Sequence, residues 1–124
     1  MGATITSYRD LLAWQRAFAV GLEVYRVSDS FPDREKFSLT QQMRRCAISV
    51  PSNIAEGYGR GSRVEYLRYL KISRGSLCEL ETQLLFAIEL RYASESEMSG
   101  LLSSIEETKR ILAGLIRSIE RPAP

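Results

Sequence analysis

The stretch VPSNIAEGYGRGSRVEY, Val50 to Tyr66, decides the fold, because its three glycines alternate with Tyr58 and Arg60 in a spacing that suits either a phosphate loop or a turn between helices. A dinucleotide fingerprint needs a strand before its glycines, and a Walker loop must end in Gly-Lys-Ser or Gly-Lys-Thr. Neither pattern is complete here, and the residues ahead of the glycines continue a helical period. The turn reading follows: Gly57 as a left-handed cap closing one helix, Gly59 and Gly61 as turn formers, and Ser62 as the N-cap of the next. The free N–H groups at that next helix start, flanked by Arg60 and Arg63, keep the capacity to hold one phosphate.

Outward from the turn, helical punctuation recurs. SLTQ (Ser38–Gln41), SRVE (Ser62–Glu65) and SESE (Ser94–Glu97) each match a capping box, with SYRD (Ser7–Asp10) as a further start. Between them, apolar residues repeat at steps of three and four: Leu39, Met43, Cys46, Val50 and Ile54, with Ala47 beside them; then Leu70, Ser73, Leu77, Leu80, Leu84 and Ala87; then Leu101, Ile105, Thr108, Leu112, Leu115 and Ile119. In the first segment Leu11, Trp14, Phe18, Leu22 and Tyr25 form one side, with Leu12, Val20, Val24 and Val27 broadening it and Trp14 read as core. The punctuation predicts helices near 7–28, 38–57, 62–91 and 94–120, with one extra turn after Pro32. Short connections make the expected fold all-α, an antiparallel up-and-down four-helix bundle in a single domain over 1–124. No run alternates as a strand would.

The bulk composition bounds the function. A chain of 124 residues buries enough surface to fold without staples, and no apolar run reaches the roughly 18 residues of a membrane span. The N-terminal stretch MGATITSYRDLLAWQ has no secretory pattern, so a cytoplasmic location is expected, and the C-terminal RPAP is expected to fray. Cys46 and Cys78 are read as buried free thiols. The chain has no histidine, which removes the commonest general base and metal ligand and excludes a Glu-x-x-His di-iron site. With no nucleophile beside a base, no metal-ligand spacing and no complete phosphate loop, neither catalytic residues nor a cofactor nor a metal is expected.

Charge is segregated. Net charge is +2, but the sums for residues 1–40, 41–75, 76–107 and 108–124 are 0, +5, −6 and +3. Arg44, Arg45, Arg60, Arg63, Arg68 and Lys71 are therefore candidate contacts for a nucleic-acid backbone, RNA or DNA. The same residues are equally suited to pair with the acidic stretch that holds Glu79, Glu81, Glu89, Glu95 and Glu97. The alternative function is a structural oligomeric adaptor that recruits a protein partner and binds no nucleic acid, with Tyr58, Tyr66 and Tyr69 as candidate contacts.

Polar residues fall inside the predicted seams. Asn53, Glu56, Arg74 and Glu81 are expected to form a structural network in which Glu81 accepts from Arg74 or Arg45. Pro51 is expected to kink the second helix, and Gly75 and Ser76 to admit close helix approach. Ile72, Phe86 and Leu90 lie off the main stripe of the third helix, more apolar surface than one bundle covers, and so predict an interface between copies.

LLAWQRAF, FPDREKFSLTQQMRR, SVPSNIAEGYGR and GSLCELETQL together resemble the four helix bundle protein family, also labelled S23 ribosomal protein or 23S rRNA intervening-sequence protein, over about residues 8–118. The resemblance implies a four-helix bundle assembled into a closed ring, a homopentamer in known relatives. It implies no activity. More distant relatives, accessory proteins of diversity-generating retroelements, form pentameric barrels that bind a reverse transcriptase and nucleic acid. Arg74 departs from the family pattern, which usually has a small residue before the Gly-Ser pair.

Overall fold

Cap chemistry starts the helices in different ways. The structure, a computed structural model, describes residues 4–122. It contains α1 (Leu12–Ser28), α2 (Leu39–Gly59), α3 (Arg63–Glu89) and α4 (Glu95–Glu120), with short 3-10 turns at Tyr8–Asp10 and Asp33–Glu35 and no strand among the described residues. The second turn is the one expected after Pro32. Met1–Ala3, within the stretch read for a secretory pattern, and the last two residues of RPAP lie outside the described residues.

Ser94 and Glu97 make the full reciprocal capping box of α4, and Ser62 accepts from the Glu65 N–H at 3.3 Å. Ser7 and Asp10 form the same box, but it starts the 3-10 turn, so α1 begins at Leu12 rather than near residue 7. The expected box at Ser38 does not form. Glu35, carried in by the second 3-10 turn, instead accepts from the Leu39 N–H at 3.3 Å and from the Tyr92 hydroxyl at 2.6 Å. These bonds hold its carboxyl below the ordinary carboxylate range.

The helices are arranged as a square in chain order, with α2 packed on α1 and α3, and α4 closing on α3 and α1. The predicted stripes of α2 and α3 are in the core: Met43, Val50, Ile54, Leu70, Leu77 and Leu84 are each fully buried. In α4, Leu101, Ile105, Thr108 and Leu112 are buried as expected, joined by Ile116. Cys46 is buried and its thiol is pushed up chiefly by that burial, whereas Cys78 is exposed, contrary to expectation.

Helix α1 buries the valine edge of the expected surface, Val20 and Val24, and not most of its large side chains. Its core residues are Ala13, Ala17, Val20 and Val24, while Phe18, Leu22 and Tyr25 are exposed and Trp14 is half-buried. Small residues face inward because α1 runs close to α2: a Cβ on Gly21 would sit 3.3 Å from the Ala47 carbonyl oxygen. That carbonyl is the one that Pro51, lacking an N–H, leaves without its helical donor.

The glycine-rich turn is also built differently from the sequence reading. Gly57 does not close α2; it is buried within the helix, where a Cβ would meet the Tyr69 Cβ at 2.7 Å. α2 continues to Gly59, and the left-handed residue is Gly61, at φ +69°. Gly75, expected to permit close approach, is exposed with open space around it.

Candidate functional site

Two antiparallel helices carry the candidate basic residues, and their direction splits the set. Arg60, Arg63, Arg68 and Lys71 gather at the end of the bundle where α2 finishes, α3 starts and α4 finishes. Arg44 and Arg45 lie about 22–24 Å from Arg60 along α2, at 1.5 Å per residue. Arg117 and Arg121, in and just beyond the last turn of α4, add to the same end as Arg60 and are exposed.

Each of the four has a partner within the chain. Arg63 donates to the Ile119 and Glu120 carbonyls at 2.8 and 2.9 Å, capping the C-terminus of α4, where a cation also meets the negative end of the helix dipole. Lys71 pairs with Glu120 at 3.1 Å and Arg68 with Glu65 at 2.9 Å. Arg60 and Arg68 both stack on the Tyr69 ring, at 5.1 and 4.7 Å from its centroid, and donate to its hydroxyl. The acidic partners are Glu56, Glu65 and Glu120, not the 79–97 stretch named from the sequence. Charges in these pairs are exposed, so each pair contributes little and leaves the arginine heads facing water.

Arg44 has a different task. It stacks on Tyr25 at 4.7 Å and donates to the Ser28 hydroxyl at 3.0 Å, tying α2 to the end of α1. Arg45 is exposed and forms no ion pair among the described residues.

The expected polar network is not formed as drawn. Glu81 accepts from Lys109 of α4 at 3.0 Å, and Lys109 also bonds Glu106, which holds the ammonium well above its ordinary value. Arg74 is exposed and forms no ion pair with Glu81, whose carboxylate is taken by Lys109. Asn53 does organise a small network: it donates to the Ser49 carbonyl and hydroxyl at 2.8 and 2.9 Å, and Ser49 shares a 3.0 Å bond with Ser76 across to α3. Glu56 stands outside this network, 3.7 Å from Arg60.

Among the described residues, two apolar faces are open on the single chain. On α3, Ile72, Phe86 and Leu90 are 41%, 59% and 50% exposed, so the chain's own packing does not cover them. The other face was missed in the sequence. Between α1 and α2 runs an apolar groove of about 310 Å³, floored by Gly21 and Ala47 and walled by Trp14, Phe18, Leu22 and Ile48. The Trp14 and Phe18 rings stack at 5.0 Å along its wall. The available signal is the pair of apolar stripes on α1, of which the one with larger side chains reads as core in the sequence.

Among the described residues no three acidic or cysteine side chains converge as a metal site, and no helix is long and apolar enough to cross a membrane.

No curated protein matches the sequence. A crystal structure from Bacteroides thetaiotaomicron VPI-5482, described as a protein with unknown function from the S23 ribosomal protein family, is similar in fold: TM-score 0.79 and 19% identity over 86% of this chain and 96% of that one. The family described as 23S rRNA-intervening sequence protein matches residues 9–114, which span all of α1, α2 and α3 and most of α4. On that match the chain belongs to the 23S rRNA-intervening sequence protein family.

Proposed function

We propose that this protein is a non-enzymatic, ring-forming helical bundle whose basic end associates with the phosphate backbone of a nucleic acid. One observation carries the reading: Arg60, Arg63, Arg68 and Lys71, joined by Arg117 and Arg121, are exposed together at one end of the bundle. Ring symmetry repeats that end on one face of the assembly, which multiplies a weak attraction. The family description, with its reference to 23S rRNA, is in keeping with it. The ring implied by the family resemblance is a homopentamer, about 70 kDa for five chains of 14.0 kDa.

The test is a filter-binding titration with a structured RNA at low and high salt. Binding that weakens steeply with salt is expected, and Arg60→Ala with Arg68→Ala should reduce the steepness by about one phosphate contact each. Absent or salt-insensitive binding overturns the nucleic-acid reading.

A second reading, an oligomeric adaptor for a protein partner, is favoured by the engagement of those same arginines with Tyr69, Glu65 and the α4 carbonyls. It is the conclusion to adopt if the protein assembles and RNA does not bind.

A further inference from the structure

The two open apolar faces lie on adjacent sides of the square, one between α1 and α2, the other on the outer flank of α3 beside α2. Their heights along the bundle axis can be compared. Cross-helix contacts set Ser49 level with Ser76, Val50 with Ser73 and Gly57 with Tyr69. On the other side, Gly21 is level with Ala47 and Tyr25 with Arg44. By these pairings Ile72 stands at the height of the Trp14–Phe18 stack, Glu79 at the height of Arg45, and Phe86 and Leu90 at the height of Phe37.

Charge follows the same axis. The groove continues past Tyr25 and Ile48 into a cleft of about 480 Å³ lined by Lys36, Arg44 and Arg45, with Phe37 79% exposed beside it. The matching part of α3 carries Glu79 and Glu89 on its exposed side, flanking Phe86. An occupant of groove and cleft must be apolar at one end and acidic with apolar residues at the other. The outer face of α3 has that order at those heights.

We propose that the α1/α2 groove of one copy receives the outer face of α3 from a second copy, bundle axes parallel and without axial shift. Ile72 of the incoming helix sits on the Trp14–Phe18 stack, Glu79 approaches Arg45, and Phe86 and Leu90 cover Phe37, with Glu89 toward Lys36. Such an interface is heterologous, since each copy offers a groove on one side and a helix on another. The two faces point about a right angle apart, and that turn closes a small ring, since the interior angles for four, five and six copies are about 90°, 108° and 120°. The pairing rests on the ring reading above and supplies its contacts.

Cysteine pairing between copies tests it. In a Cys78→Ser background, Phe18→Cys copies and Ile72→Cys copies are purified separately and oxidised alone or mixed, with light scattering on the wild type alongside. A disulfide-linked dimer in the mixture and in neither variant alone supports the pairing. An assembled wild type whose mixture gives no linked product overturns the pairing and leaves the ring standing. A wild type of monomeric mass overturns both. As a second arm, Phe18→Glu changes a side chain already 47% exposed in the single chain, so it should keep its helical circular dichroism while losing assembly; retained assembly overturns the pairing.

Discussion

At the scale of single residues, Gly57 shows how a correct identity can carry the wrong reason. A glycine before a turn reads as a left-handed cap, yet here it is needed because Tyr69 and Tyr66 of α3 pass too close for a side chain. Gly57→Ala gains about 1 kcal/mol in helix propensity. It also places a Cβ 2.7 Å from the Tyr69 Cβ and 3.2 Å from the Tyr66 carbonyl oxygen, and overpacking of that kind costs about 1–3 kcal/mol. The net expectation is a loss of up to about 2 kcal/mol in a urea titration, whereas Gly59→Ala, with open space around it, should cost nothing. Tyr66 gives a pH signature. Burial, and then the neighbouring Tyr58, raise its phenol from 10.0 to about 12. The folded state therefore favours the protonated form, so this contribution is complete below pH 10 and is lost as the pH rises toward 12. Tyr66→Phe should flatten the alkaline fall in denaturation midpoint across that window; an unchanged slope would show that Tyr66 is not its source. The spacing of Tyr58 and Tyr66 in the sequence says nothing of this, because their edge-to-face contact at 6.0 Å exists only once α2 and α3 pack.

At the scale of elements, four helices were legible because capping boxes and three-four spacing are local. Where the local signal had a competitor, it failed: Ser38 lost its capping role to Glu35, which only the intervening 3-10 turn brings near. Helix α1 departs from the expected burial for another reason. It has two apolar stripes roughly 130° apart, one of alanines and valines and one of large side chains, and periodicity alone cannot choose between them. The distance to α2 chooses, and it admits only the small set. Ser94 tests the cap argument directly, because its box is complete and solvent-exposed. Ser94→Ala should cost about 1 kcal/mol in thermal or urea unfolding. It should also release the Glu97 carboxyl, now held low by the Ser94 backbone N–H and hydroxyl, toward its ordinary value. The stabilisation linked to Glu97 is present above the ordinary carboxylate range and is lost as the pH falls through the lowered folded value, so the gap between the wild type and Ser94→Ala should narrow there, leaving the part due to the Ser94 hydroxyl accepting from the Glu97 N–H.

At the scale of the whole molecule, the charge segregation read from the sequence survives in three dimensions, but the ion pairs do not follow it. Which acid meets which base depends on helix order: Lys71 finds Glu120 and Lys109 finds Glu81 because α3 and α4 run antiparallel side by side. The surplus on α3 is visible in the sequence because it lies off a clear stripe, and the groove is not, because large apolar side chains at helical spacing read as interior. If copies cover these faces for one another, the melting temperature should rise with protein concentration, and a midpoint unchanged over a hundredfold dilution would argue for a monomer. The small inward residues of α1 have a kinetic meaning as well. Ala13, Ala17, Val20 and Val24 bury little area each, so α1 is held to its own chain by a thinner layer than α3, with its leucines. Its amides should then exchange with deuterium first in a dilute sample and slow markedly in a concentrated one, making the first helix a latch that is set only when a neighbour arrives.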